Sequence, residues 1–367
     1  MIEKKRFGIV ALFIAFMVNA SFHVCAEEAD LVAIYQKALA HDALLASVRF
    51  ENEATQELIS QGRSLFLPSI TATANYGEND NERKILTPGI SSNELLSGNK
   101  AEYHGYDYGI TVTQPLFNYR AFQQYKQILS QTSLSEKKLL QAQQDLIYRV
   151  SLVYFETLMA RDEIRLLQVQ KASINEQLIE SEARYDVGLI SITDVNEAQT
   201  KAAMIDAQII AAIQRLKIKK RQIESLTGEL PNKIKGINSA VSFVAISDVM
   251  EDWISLATEN NLELKIMEDE IKIADREIDV RRSDHYPTVD AIASRSRNWD
   301  KGGFPYGALQ NEGVRSFSDV LGVQINIPIF SGGYTSSRVR EAQKLKLKTA
   351  EDAEYLKRQV ELKVREH

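Results

Sequence analysis

Cysteine is nearly absent from this chain of 367 residues: Cys25 is the only one. It lies on the discarded side of the expected leader cleavage point, so the mature chain offers no disulfide, no thiolate nucleophile and no thiolate metal site. Histidine is also sparse. His23, His41, His104, His285 and His367 form no His-x-x-x-His or His-Glu-x-x-His pair, and there is no Gly-x-x-x-x-Gly-Lys-Ser/Thr loop to cradle a nucleotide. No catalytic residue, cofactor site or metal site is expected, and any work the protein performs must draw energy from a partner. Basic patches are missing too. Lys and Arg number 44 against 50 Asp and Glu, spread along the chain for a net charge of -6, so nucleic acid is not an expected partner. Beyond residue 26 no apolar run approaches the roughly 20 residues of a spanning helix. If the chain enters a membrane it must do so as a closed barrel, because lipid tolerates no unpaired backbone.

What is present begins with a leader. Lys4, Lys5 and Arg6 precede an apolar run from Phe7 to Val18 and a small-residue site at Val24-Cys25-Ala26, which reads as a signal peptide over residues 1–26. A lipid anchor on Cys25 is the rival reading, although Phe22-His23-Val24 lacks the small residues that usually precede one. After the leader, one pattern occurs twice. Residues 27–231 form the first copy, with a helix over 31–67, strands over 69–76 and 107–114, a helix over 119–186 and another over 191–226. Residues 232–248 are a mixed equatorial segment. The second copy, 249–367, has a helix over 249–284, strands over 288–295 and 319–327, and a helix over 334–367. Pro68 and Pro287 are 219 positions apart and Pro115 and Pro328 are 213 apart, which marks a duplication. The stretch 119–186 holds no proline or glycine and would extend about 100 Å, a two-faced coiled-coil rod. The second copy stops at His367 inside its last helix, without a cap signal, so the chain is expected to lack the counterpart of its first helical hairpin.

The four strands alternate. Tyr108, Ile110 and Val112, with Leu321, Val323 and Ile325, are expected to face lipid; Thr111, Thr113, Gln324 and Asn326 are expected to face a lumen. Four strands cannot close a barrel, since single-chain barrels start at about eight. Closure therefore demands several copies of the chain.

In order and spacing, Leu65-Phe66-Leu67-Pro68-Ser69-Ile70, Gln114-Pro115-Leu116-Phe117, Arg184-Tyr185-Asp186-Val187-Gly188-Leu189 with Thr193-Asp194-Val195, Tyr286-Pro287-Thr288-Val289 and Ile327-Pro328-Ile329-Phe330-Ser331-Gly332-Gly333-Tyr334 resemble the TolC family of outer membrane efflux proteins. The resemblance implies a mixed α and transmembrane β fold: a homotrimer whose chains each give four strands to a 12-stranded barrel, continued by an α-helical coiled-coil tunnel across the periplasm. It also implies an outer membrane location and docking onto a periplasmic adaptor and an inner-membrane efflux pump or ABC exporter. The cargo, small molecules or secreted proteins, stays open. By the same resemblance Arg184, Val187, Gly188, Leu189 and Asp194 are the docking candidates, at a helix turn where Gly188 also serves as a cap. The rival function is a soluble periplasmic coiled-coil scaffold or adaptor, which would explain the rods but not the paired strands.

Overall fold

The computed structural model describes residues 29–83, 99–237, 249–301 and 314–366. The expected leader, residues 238–248 of the equatorial segment and the segments 84–98 and 302–313 lie outside the described residues. In chain order the elements are α1 (Leu31–His41), α2 (Ala43–Ser64), β1 (Ser69–Arg83), β2 (Asn99–Asn118), α3 (Tyr119–Asp186), α4 (Ile192–Thr227), α5 (Met250–Asn260), α6 (Leu262–Arg282), β3 (Thr288–Lys301), β4 (Val314–Asn326) and α7 (Tyr334–Glu366). They belong to two compact units, one drawn from the stretches up to Arg49 and from Gln141 to Ile246, the other from Phe50 to Leu140 and from Ser247 onward.

The helices expected over 31–67 and 249–284 are each broken in two. Asp42 (φ -62°, ψ 116°) and Asn261 (φ -63°, ψ 122°) leave the helical region at the breaks. Each closes one helix and opens the next. The Asp42 N–H donates to the Ala38 carbonyl at 2.8 Å while its Oδ1 accepts from the Leu45 N–H at 2.8 Å. The Asn261 N–H donates to Ala257 and its Oδ1 accepts from the Leu264 N–H at 3.0 Å. A short side-chain acceptor satisfies an orphan amide of the new helix, so the break costs few hydrogen bonds. The two positions are 219 residues apart, so the duplication reaches down to the caps.

In the first unit Asp42 is buried, and Arg149 of α3 grips both its oxygens at 2.9 and 3.0 Å while also reaching Asp145 at 2.7 Å. Hydrogen bonding from Arg149 holds the Asp42 carboxyl below its ordinary range, against the opposing effect of burial. Leu146, Val150, Tyr154 and Leu158 form the buried stripe of α3 around this pair. The chain before α1 runs beside the residues after α4: Ala29 bridges Ile234, and the Tyr154 hydroxyl donates to the Lys235 carbonyl at 2.6 Å.

In the second unit the buried carboxylate is Asp269 on α6. Desolvation works to raise its pKa, yet Lys137, Lys272 and Ser133 bind it and hold it lowered. Gly62 of α2 is buried where the helix meets α3, and an added Cβ would fall 2.9 Å from both Ile128 Cδ1 and Tyr125 Cδ2. Gly62→Ala is expected to destabilise the protein by about 1–3 kcal/mol through overpacking. A thermal midpoint equal to that of the unchanged protein would contradict this close approach.

The strands are longer than the alternation indicates. Those expected over 69–76, 107–114, 288–295 and 319–327 become 15, 20, 14 and 13 residues in β1 to β4, extending through stretches expected to be loop. On β1 the added residues Gly77-Glu78-Asn79-Asp80 are polar on both faces, so hydrophobic alternation could not reveal them there. All four strands are long enough for the 9 to 11 residues of a spanning strand. They form one antiparallel sheet in the order β1-β2-β3-β4, so β1 and β4 are its edges.

Candidate channel wall and docking turn

Cross-strand partners in an antiparallel pair point to the same side, so the register assigns every residue to a face. Val112 pairs with Ile70 and Ala293, and Ala293 pairs with Leu321, which forms one apolar row. Towards the loops, further rows on this face contain Ala72 with Ile110, Ala74 with Tyr108, and Tyr76 with Tyr106 and Trp299. Towards the helices it carries Ala291 with Val323 and Val289 with Ile325. The register shifts between Pro115 and Phe117, so that Phe117 pairs with Val289 and joins the apolar face. Tyr108, Ile110, Val112, Leu321, Val323 and Ile325 thus share one face.

The opposite face carries Thr71, Thr73, Asn75, Asp107, Thr111, Thr113, Asp290, Ser294, Gln324 and Asn326. Thr111 lies opposite Thr71 and Ser294, and Asp290 lies opposite Gln324. All four lumen candidates are therefore on this side. As far out as the row of Gly77, Gly105 and Asp300 its charged residues are acidic: Asp107, Asp290 and Asp300, with Asn75 donating to Asp107 at 3.1 Å.

Three features escaped the sequence reading. The aromatic row runs across three strands, with ring centroids 5.0 Å apart for Tyr76 and Tyr106 and 5.7 Å for Tyr106 and Trp299. Arg295, Arg297 and Arg315 stand on the apolar face in the rows of Ile110, Tyr108 and Trp299. Asp300 extends the acidic face beyond the stretch expected to be strand. Trp299 and the arginines fall at odd positions of β3 and β4, and Tyr76 and Tyr106 at even positions of β1 and β2, which extrapolated alternation would have marked.

The five docking candidates meet in one turn between α3 and α4. Gly188 has φ +79°; its N–H bonds the Tyr185 carbonyl at 2.8 Å and the Leu189 N–H bonds the Arg184 carbonyl at 2.9 Å. These two bonds form a Schellman cap, in which a left-handed residue satisfies the last carbonyls of the helix. Asp194 accepts from the Ser191 N–H at 2.9 Å and so stabilises the start of α4, a role separate from docking. Arg184 pairs with Glu180 one turn back. Val187 and Leu189 are 69% and 74% exposed, leaving two apolar side chains at the turn in water.

Among the described residues no group of three or more His, Cys, Asp or Glu could hold a metal ion, and no helix is long and apolar enough to cross a membrane. The sequence model of the family described as "Outer membrane efflux protein" matches residues 34–229 and 253–365. The chain is 26% identical over 342 residues to the proteases secretion protein PrtF of Dickeya chrysanthemi, covering 92% of this chain and 70% of that one. It is 27% identical over 344 residues to the outer membrane protein TolC of Vibrio cholerae, covering 92% and 73%. The solved outer membrane protein VceC of Vibrio cholerae superposes with a TM-score of 0.67 at 14% identity, covering 90% of this chain and 75% of that one.

Proposed function

Because this chain belongs to the outer membrane efflux protein family, we propose that its sheet is one third of a trimeric 12-stranded barrel, with the apolar face in lipid and the acidic face lining the exit duct. The observation that carries this reading is the two-faced sheet with both edges unpaired among the described residues. Lipid requires every backbone amide to be bonded, so β1 of one copy must pair with β4 of the next. The helices support the same assembly. Leu166, Val169, Met204, Ile210 and Ile218 are exposed apolar residues on α3 and α4, and the stripe they would add to is one that neighbouring copies would cover. A soluble scaffold would leave both the stripe and the apolar sheet face in water.

The turn at Gly188 is proposed as the contact for a periplasmic adaptor, with Val187 and Leu189 as apolar anchors and Arg184 beside them. An inner-membrane pump or ABC exporter on the far side of that adaptor would supply the energy. Copurification from the native membrane distinguishes the cargo classes: an ABC exporter in the complex points to secreted protein, a proton-driven pump to small molecules. Gly188→Ile forces a β-branched residue into left-handed backbone, at a local cost of about 1–2 kcal/mol. It is expected to reduce adaptor capture while trimers still form. Unchanged capture by assembled Gly188→Ile trimers would remove the turn from the contact.

Strand facing has its own test. Val323→Arg is expected to cost about 2–4 kcal/mol at the bilayer midplane, whereas Gln324→Arg, on the other face, costs less. Thr111→Cys should react with a polar reagent confined to the pore, and Ile110→Cys should not. The reverse labelling pattern would invert the wall.

A further inference from the structure

In three successive rows, those of Ile110, Tyr108 and Tyr106, the apolar face of the sheet carries an unbalanced positive charge. Arg295, Arg297 and Arg315 share that face on β3 and β4 with one acidic neighbour, Asp319, which lies 3.3 Å from Arg295. Arg297 and Arg315 have no carboxylate partner among the described residues. Each instead lies over a ring, Arg297 at 5.2 Å from the Phe317 centroid and Arg315 at 4.6 Å from that of Trp299. Glu78, His104 and Lys301 share the next row out, on β1, β2 and β3, and Asp80 follows one row beyond, so the positive excess is confined to the three rows. A guanidinium exposed to hydrocarbon at mid-membrane is costly, so its level along the strands decides what surrounds it. Arg315 pairs directly with Trp299, in the same row as Tyr76 and Tyr106. Rows of such amphipathic rings mark the boundary between hydrocarbon and headgroups. On β4 the uninterrupted apolar positions, Ile325, Val323 and Leu321, all lie nearer the helices than the arginines do.

We propose that Arg295, Arg297 and Arg315, backed by Trp299 and Phe317, form a binding surface on the outside of the barrel for the phosphate groups of an outer-leaflet lipid. The proposal rests on the apolar face being turned to lipid. Charge complementarity supports it: three cations and one anion line the three rows of this patch, whereas the opposite face as far out as Asp300 carries only aspartates as charged residues. A planar guanidinium fork matches two phosphate oxygens at once, and stacking on a ring fixes the plane of the fork without consuming its donors.

The test uses the purified trimer in phosphatidylcholine vesicles containing lipid A, either with its phosphates or stripped of them. Lipid retained per trimer is counted by native mass spectrometry. The unchanged protein is expected to retain phosphorylated lipid A about thirtyfold better than R297Q/R315Q, the scale of two basic groups at an anionic surface. The stripped lipid should be retained equally by both. If R297Q/R315Q does not assemble, R297K/R315K takes its place, since lysine keeps the charge and loses the fork; a fall in retention of about threefold or more is then expected. Equal retention of phosphorylated lipid A by variant and unchanged trimers overturns the site. Trp299 reports on the facing itself in a W253F background, where it is the sole tryptophan. Brominated phosphatidylcholine should quench it. Quenching together with equal retention removes the lipid site alone; absence of quenching removes the facing assignment and the site with it.

Discussion

Asp42→Ala is expected to destabilise the unit containing α1 and α4 by about 2 kcal/mol, because it leaves the half-buried Arg149 guanidinium with Asp145 alone as partner. The same substitution removes the acceptor for the Leu45 amide, adding about 1 kcal/mol for a lost helix cap. Asp42→Asn separates the two effects. Asn261 performs the double cap in the second repeat, so asparagine should keep the cap and lose the charge pair. Pairing Asp42→Asn with Arg149→Met should then recover much of the loss, since a buried ion pair can often be exchanged for packed neutral groups at little cost. A double variant as unstable as the sum of its single changes would show that the pair is not coupled. The pH dependence has a definite sign. The folded Asp42 pKa is depressed, chiefly by the Arg149 hydrogen bonds, so its contribution is fully present above the unfolded value of about 3.8 and is lost as pH falls through the folded one. The stability gap between the unchanged protein and Asp42→Asn should stay flat from neutral pH down to about 5 and shrink below about 4. Helical melting followed across that range measures it.

Replacing Asp107, Asp290 and Asp300 together with asparagine is expected to abolish most of the cation preference of the barrel's conductance. In a trimer these residues form three rings of carboxylates on a wall whose other residues, as far out as Asp300, are Thr, Ser, Asn, Gln, Gly and a few apolar groups. Rings of carboxylates in a pore with low-dielectric walls concentrate cations and repel anions. Reversal potentials in a potassium chloride gradient report the preference directly. The unchanged channel should favour potassium several-fold at low salt and less at high salt, as screening predicts, while the neutral variant moves towards equal permeability. A neutral variant with undiminished selectivity would place the selective charges elsewhere.

Legibility in the sequence followed physical contrast. The stretch Tyr119–Asp186 was readable as one helix because the dry stripe of Leu146, Val150, Tyr154 and Leu158 recurs at helical spacing without a breaker. The breaks at Asp42 and Asn261 were missed because each sits inside a continuing apolar period and its role depends on caps made within a few residues. The strands were visible where one face meets lipid and the other water, and lost from view beyond Tyr76 and Ser294, where polar residues enter both faces. Facing could be guessed strand by strand. Which residues share a row could not, because register is fixed by pairing, and the shift at Pro115 and Phe117 leaves no periodic trace. The turn at Gly188 was readable because a glycine ending a long helix has few other uses. Asp194 joined the docking candidates through its place in the pattern, and its hydrogen bond to Ser191 explains its presence without a partner.

The two unpaired edges of the sheet carry a genetic consequence. A protomer whose β1 or β4 edge is blocked, for instance by a proline that removes a pairing amide, still folds its helices and still offers its intact edge to a neighbour. Expressed beside an equal amount of normal chain, it would enter most assemblies and close none of them. With random mixing only about one trimer in eight would consist solely of normal chains. Such an allele would be dominant, and export would fall by much more than half although half of the chains are sound.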